Sequence, residues 1–345
     1  MKQLLFVFFF IFPFLKGGIV LNAAAPGNSA LEMYVFSVGQ GNFVLLKKGN
    51  SFLTVDVGCG KASSEYTKSI SSGSLGKRLR NIGVDRGGVV HSLLVTHNHK
   101  DHFYLFPEFL KVLGKRQVRI PQGFYNTQSS VAKSFWSLLS GKEFEGRIAD
   151  NGSITNCLGN NVTFRILQPP HNATKDHEKN LIVFVKCKSV LFILPGDADG
   201  DYLNLNAKAF INELRKQATG CTHCCIVLPH HGSNSNGTLA LSLAAQRILL
   251  EKKCRKMIFI ISSNSMEGDH LPRSAVLHLL PATPQVKKHS YQCQGTEEKR
   301  ITSPVFITSK ATDGIGYLIT TNGNNLILYD GTTINSAQLY PRVGN

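Results

Sequence analysis

The densest chemistry in this 345-residue sequence lies in one short stretch, Thr96-His97-Asn98-His99-Lys100-Asp101-His102. Three imidazoles and a carboxylate there offer nitrogen and oxygen donors together, a set that suits zinc, manganese or iron. His97 and His99 alternate, so on an extended segment both side chains point the same way. Asp101 and His102 fall on the next turn and can reach a neighbouring ion. A second fragment, Leu194-Pro195-Gly196-Asp197-Ala198-Asp199, closes an apolar run with a carboxylate beside glycine, and Asp197 is the candidate bridging ligand. A third, Leu228-Pro229-His230-His231-Gly232-Ser233, also closes an apolar run. Adjacent histidines point in different directions, so one of His230 and His231 is expected to bind metal. The other would touch substrate or support the ligands.

The surrounding pattern tells how these fragments are positioned. Apolar runs at 33–36, 43–46 and 52–57, separated by Gly39, Gly41 and Gly49-Asn50, read as a β-meander. A helix is expected over 75–82, a buried strand over 89–95, a helix from about 102 to 113, a strand at 117–120 and a helix over 128–139. Further strands are expected at 162–167, 181–187, 190–194, 225–228, 257–261, 305–308, 316–320 and 326–329. Helices are expected over 203–217, 239–250 and 274–280. Two β-rich halves, each with helices, imply an α/β fold of two mixed sheets packed face to face with helices outside. Each polar cluster ends an apolar strand, so all three fragments can gather on one rim.

Composition adds context. Lys2, the apolar stretch 4–15 with Pro13, and the small residues Ala23, Ala24 and Ala25 have the layout of a secretory signal peptide over 1–25. The rest, 26–345, is expected to form a single domain. The apolar stretch is short for a membrane span, which needs about 20 residues. Retention of this segment as an N-terminal anchor is the alternative. Export permits disulfides among the eight cysteines, whose pairing cannot be read from spacing. Cys221-Thr222-His223-Cys224-Cys225 has half the spacing of a zinc site without a matching second half, so strand packing or a disulfide is expected there. The formal charge of +16 favours a polyanionic partner such as DNA.

Taken together, His97-x-His99-x-Asp101-His102, Pro195-Gly196-Asp197 and Pro229-His230-His231-Gly232-Ser233 resemble the metallo-β-lactamase superfamily. Within it they resemble the hydrolase domain of ComEC, the competence protein of bacterial DNA uptake. Val38-Gly39-Gln40-Gly41-Asn42, Val55-Asp56-Val57-Gly58, His270-Leu271-Pro272 and Asp313-Gly314 are similar to other motifs of that group, and the likeness runs from about 32 to 329. It implies an αββα sandwich and two divalent ions, zinc or manganese. His97, His99 and Asp197 would hold one ion. Asp101, His102, Asp197 and His230 or His231 would hold the other. Asp56 would orient a ligand histidine, and Ser233, His231 and His270 would contact substrate or pass protons. The sequence departs from the group at Ser37 and Asn42, where aspartates are common, and at Phe103-Tyr104, where small residues are usual. A further ligand histidine frequent in the superfamily has three candidate positions here, His171, His177 and Asn180. The membrane channel of ComEC has no counterpart.

The activity implied is hydrolysis by metal-activated water, with phosphodiesters such as nucleic acid first among substrates. No sequence-specific nucleic-acid motif is present, so a nuclease of this kind would grip phosphates without reading bases. The alternatives are a small phosphoester of phosphocholine or nucleotide type, a carbonyl substrate as in lactonases and β-lactamases, and a non-catalytic binding role on the same scaffold.

Overall fold

A computed structural model describes residues 30–60, 63–86, 90–97, 99–113, 119–124, 158–170, 172–233, 238–254, 256–263, 271, 276, 305–308, 315–324 and 326–330. The expected signal segment, the helices at 128–139 and 274–280, His171, His270, Asp313, Cys157 and Cys293 lie outside the described residues.

The chain opens with β1 (Leu31–Phe36), β2 (Phe43–Lys48) and β3 (Ser51–Val57), then α1 (Ser63–Ser71) and α2 (Ser74–Ile82). It continues with β4 (Val90–Leu94), α3 (Lys100–Phe103), α4 (Phe106–Leu113) and β5 (Arg119–Phe124). The second part holds β6 (Val162–Leu167), β7 (Ile182–Cys187), β8 (Val190–Leu194), α5 (Gly200–Ala218), β9 (His223–Val227), α6 (Thr238–Glu251), β10 (Lys256–Ile261) and β11 (Val305–Ile307). Last come β12 (Ile315–Thr321) and β13 (Ile327–Asp330).

One sheet has the order β13-β12-β1-β2-β3-β4-β5 and the other β11-β10-β9-β8-β7-β6. Both are mixed: β3, β4 and β5 run parallel, as do β8, β9, β10 and β11, while the remaining neighbours are antiparallel. The final hairpin leaves the second half of the chain and pairs β12 with β1, closing the first sheet rather than extending the second.

Side-chain alternation sorts the core into three apolar layers. Met33, Val35, Val44, Leu46, Leu53 and Val55 meet Val183, Val185, Phe192, Leu194 and Val227 between the sheets. The opposite faces of the same strands, Tyr34, Phe36, Phe43 and Leu45, pack under Leu75, Leu79, Phe106 and Phe109 of the helices. On the far side, Phe184, Leu191, Ile193 and Ile226 pack under Phe210, Leu214, Leu241 and Leu249. The result is the αββα sandwich. Because both faces of each sheet are covered, the strands read as apolar runs and not as clean alternation.

Three elements differ from the sequence expectation for physical reasons. The helix expected from 102 to 113 is split at Tyr104-Leu105. The Leu105 amide donates to the Val57 carbonyl at 2.8 Å in place of a helical partner. Pro107, which has no amide to lose, sits at the restart. The strand after α4 lies later than expected, at Arg119–Phe124, and contains Pro121, which is tolerated because β5 is a sheet edge. Helix α1 was not expected at all: its sequence SSEYTKSIS buries little beyond Ile70 and shows no apolar stripe. Among the described residues no helix is long and apolar enough to cross a membrane.

The six described cysteines are buried, and no disulfide joins any two of them. Cys224 and Cys225 serve as apolar strand residues on opposite faces of β9, and no described group of cysteines is arranged to hold a metal ion.

Candidate metal centre

The polar fragments all stand where strands of the two sheets end on the same side of the sandwich. Asp56 closes β3, the His97–His102 segment follows β4, Asp197 follows β8 and His231 follows β9. The loop 172–180 reaches the same rim just before β7, which runs antiparallel to β8. Backbone bonds lock these loops together, the first of them across the gap between the sheets. Leu181 donates to Thr96 at 2.9 Å and His230 to Gly196 at 3.1 Å, while Asn42 donates to Asp101 at 2.9 Å. Asn180 braces the Asp197 loop: its Nδ2 donates to the Pro195 carbonyl at 2.6 Å and its Oδ1 accepts from the Asp197 amide at 3.0 Å.

Two glycines are dictated by close approach. A Cβ on Gly58 would lie 1.6 Å from the Asp101 carbonyl oxygen. Gly196 has φ +57°, and a Cβ there would lie 2.3 Å from Asn180 Oδ1. More unusual is the turn after β9, where His230 and His231 both take left-handed φ, 49° and 52°. Such conformations are costly for side chains with a Cβ, and two in succession mark a segment held by its surroundings.

The donors fall into two groups that share one residue. His97, His99, His177 and Asp197 form the first, and Asp101, His102, Asp197 and His231 the second. Within each group one donor atom from every member lies within 4.8 Å of all the others. Of the two described positions among the three left open for an extra histidine, His177 is in a group and Asn180 supports the Asp197 backbone instead. Of the adjacent pair, His231 is in the second group. His230 is in neither, and its ring packs against His177 with centroids 4.7 Å apart. Ser233 is buried, and its amide donates to the His230 carbonyl at 2.8 Å.

Three of the histidines are fixed from behind by an oxygen outside the groups. His102 Nδ1 donates to Asp56 Oδ2 at 2.7 Å. Asp56 is itself held by the Thr96 amide at 2.7 Å, the Thr96 hydroxyl at 2.8 Å and Asn42 Nδ2 at 2.8 Å. Asn42 therefore takes part in the network as a donor. His231 Nδ1 donates to the Ser262 carbonyl at 2.9 Å, and His177 Nδ1 to Asp199 Oδ2 at 3.1 Å. In each case the other ring nitrogen, Nε2, is left to face the donor group.

The arrangement fits a cation. His97 Nε2, His102 Nε2 and both carboxylate oxygens of Asp197 are buried without a hydrogen-bond partner. His102 Nε2 and Asp197 Oδ1 are 3.0 Å apart, an ion-pair distance, but are not aligned for a hydrogen bond. Buried polar atoms are almost always satisfied, so convergent orphans call for a ligand. Without one, the charges settle among themselves. Burial depresses His102, but the Asp197 and Asp56 carboxylates outweigh it and hold its pKa well above the ordinary value. His231 is raised against burial by Asp197 and Asp101. His97 is pushed well down by burial and by the charge on His102. Burial would raise Asp197, yet His102 and His231 keep it well below the usual carboxylate range.

No family profile matches the sequence, and no curated protein matches it. Solved structures do resemble it. They include the metallo-β-lactamase fold protein YhfI from Bacillus subtilis, at 14% identity and TM-score 0.44 over 71% of this chain and 90% of that one. Unliganded yeast PDE1 is similar at 10% identity and TM-score 0.49 over 73% and 93%. A diphosphatase of the PhnP family is similar at 13% identity and TM-score 0.42 over 73% and 92%. The chain itself is an α/β protein with αββα architecture. It places two mixed sheets face to face, layers helices on both outer faces and gathers the two groups of candidate metal donors at one end of the strands. Sequence reading left His177 as one of three candidate positions, and it assigned Asp199 no role. The signal available was modest: a His flanked by Asp176 and Glu178, a few residues ahead of a buried strand.

Proposed function

We propose that this protein is a secreted metal-dependent hydrolase that cleaves phosphodiesters, with nucleic acid as the substrate class. The observation that carries the reading is the pair of donor groups joined through Asp197, whose two carboxylate oxygens are buried and unpartnered. His97, His99, His177 and Asp197 would hold one divalent ion, and Asp101, His102, Asp197 and His231 a second. Bound ions of this kind lower the pKa of water from 15.7 to about 7 and neutralise charge developing on a phosphoryl oxygen.

The chain's own residues do the positioning. Asp56 holds the His102 ring, the Ser262 carbonyl holds His231, and Asn180 fixes the backbone of Asp197. His230 carries a buried Nδ1 without a partner beside His177, and is the side chain we assign to a substrate oxygen. The site is open on one flank, since the His99 side chain is 37% exposed. The net charge of +16 supports a polyanionic substrate, and the N-terminal segment 1–25 supports export.

The test is metal content of the purified protein by mass spectrometry, followed by turnover of an aryl phosphodiester, linear DNA and RNA with Mn²⁺ and Zn²⁺. The expected result is up to two ions per chain and cleavage that Asp197→Ala abolishes together with metal binding. Full turnover by Asp197→Ala, or a wild-type protein that binds no divalent ion, overturns the proposal.

A further inference from the structure

Asp199 is buried, lies outside both donor groups, and contacts two elements at once. One oxygen, Oδ1, accepts from the amides of Asp201 and Tyr202 at 3.0 and 3.2 Å, which caps the N-terminus of α5. The other, Oδ2, accepts from His177 Nδ1 at 3.1 Å. The loop that carries His177 is tied to the same helix start a second time, because Lys175 Nζ donates to Asp201 Oδ2 at 2.6 Å. Glu178 folds that loop onto itself, accepting from the amides of Thr174 and Lys175 at 2.7 and 3.0 Å.

We infer that Asp199 is a positioning residue that sets the tautomer of His177, placing its proton on Nδ1 and leaving Nε2 free toward His97, His99 and Asp197. The inference rests on the metal-centre reading above. Its logic is one of donors and acceptors. A carboxylate can only accept, so the nitrogen facing it must carry the hydrogen, and a neutral imidazole has one hydrogen to place. Nε2 then keeps its lone pair, and it already points at the donor group, 3.3 Å from His99 Nδ1. Asp56 stands in the same relation to His102 in the second group. Asp199 differs in also capping a helix, so the ring orientation is referenced to the rigid end of α5 and not to a free loop.

Asp199→Asn separates the two roles. Asparagine is as good a helix cap as aspartate, so its carbonyl oxygen keeps the amides of Asp201 and Tyr202. Its NH₂ then faces His177 and donates, which favours the tautomer with the hydrogen on Nε2. Asp199→Ser keeps a cap and removes the partner of His177 altogether.

The experiment uses the full chain. Imidazole ¹⁵N shifts of the chelated protein, recorded at a pH where His177 is neutral and assigned with His177→Ala, report which nitrogen is protonated. Zn²⁺ titration of the same samples reports affinity. Expected for wild type is an Nδ1–H tautomer. Expected for Asp199→Asn is Nε2–H, Zn²⁺ binding weaker by about 10- to 100-fold, and an unfolding midpoint within about 2–4 °C of wild type. Asp199→Ser should show the affinity loss without a fixed tautomer. The inference is overturned if Asp199→Asn keeps the wild-type tautomer, or if Zn²⁺ affinity falls only in step with the unfolding midpoint across the two variants. A wild type that binds no Zn²⁺ yet shows Nδ1–H would sink the metal reading and leave the tautomer assignment standing.

Discussion

The sharpest steric test is Gly58→Ala. Gly58 follows β3, and its φ lies outside the left-handed region, so alanine meets no backbone penalty there. The cost is contact alone. The new methyl would sit 1.6 Å from the Asp101 carbonyl oxygen, 2.0 Å from its carbon and 2.4 Å from the His102 nitrogen. All three are backbone atoms, so no side chain can swing aside. Restoring ordinary contact requires the 101–102 backbone to retreat by roughly 1.5 Å, since Cβ contacts under about 3 Å are not tolerated by close-packed interiors. That movement strains the bond from the Asn42 amide to the Asp101 carbonyl, now 2.9 Å, and displaces two donors of the second group. Overpacking of this kind costs about 1–3 kcal/mol, and the strained hydrogen bond adds about 1 kcal/mol. We expect Gly58→Ala to lose about 2–4 kcal/mol in urea denaturation and to bind fewer ions by mass spectrometry. Gly220→Ala supplies the control. Gly220 has φ +76° with nothing within 4 Å of a built Cβ, so its cost is the left-handed strain alone, about 1–2 kcal/mol. Its metal content should be unchanged. Wild-type stability and metal content in Gly58→Ala would refute the reasoning.

Two further outcomes are expected. Asp56→Ala removes the acceptor of four hydrogen bonds, from Asn42 Nδ2, the Thr96 amide, the Thr96 hydroxyl and His102 Nδ1; the free energy of unfolding should fall by about 1–3 kcal/mol, with Zn²⁺ affinity about 10- to 100-fold weaker, and unchanged affinity would count against a positioning role. The pH dependence should differ with and without metal. In the metal-free protein His102 and His231 are raised, so the stability they contribute is present below their ordinary pKa of about 6.5 and is lost as pH rises through the raised folded value. Asp197 and Asp101 are lowered, so their contribution is present above the ordinary carboxylate range and is lost as pH falls through the depressed value. Bound metal replaces the histidine protons, which removes the alkaline loss. Urea midpoints should therefore fall with rising pH in chelated protein and hold in metal-saturated protein, and parallel alkaline limbs would contradict this.

Much of this molecule was legible because its strands are short apolar runs that end in polar clusters. Runs such as Val190–Leu194 and His223–Val227 are buried on both faces, so their hydrophobicity marked them even without alternation. The triplet of fragments after β4, β8 and β9 was readable because each combines ligand-type residues with a strand end. What stayed hidden depends on contacts between segments far apart in sequence. The break at Tyr104 comes from Leu105 bonding to Val57, 48 positions away. The choice of His231 over His230 comes from two left-handed residues and the Ser262 carbonyl, which no local pattern encodes. His177 belongs to a loop whose place is fixed by Asp199 and Asp201 at the start of α5, two strands further along the chain. Helix α1 faces too little core to leave a periodic trace.

The buried site explains its own supporting shell. Asp197 is 1% exposed and has no hydrogen bond to its side chain, a state that neutral surroundings would not sustain. The protein tolerates it by surrounding that carboxylate with imidazoles, and each imidazole adds a choice between two tautomers. Three of those choices are removed by three different acceptors: a buried Asp56 in one sheet, a backbone carbonyl at Ser262 after β10, and the helix-capping Asp199. Because the acceptors come from both sheets and a helix, the donor geometry depends on the whole sandwich being closed. Metal affinity should then report on global folding, and an ion that binds only the folded chain should stabilise it by about 2.7 kcal/mol at a hundredfold excess over its Kd. A shift in unfolding midpoint absent at saturating Zn²⁺ and Mn²⁺ alike would mean that the donors are assembled for some other purpose than holding an ion.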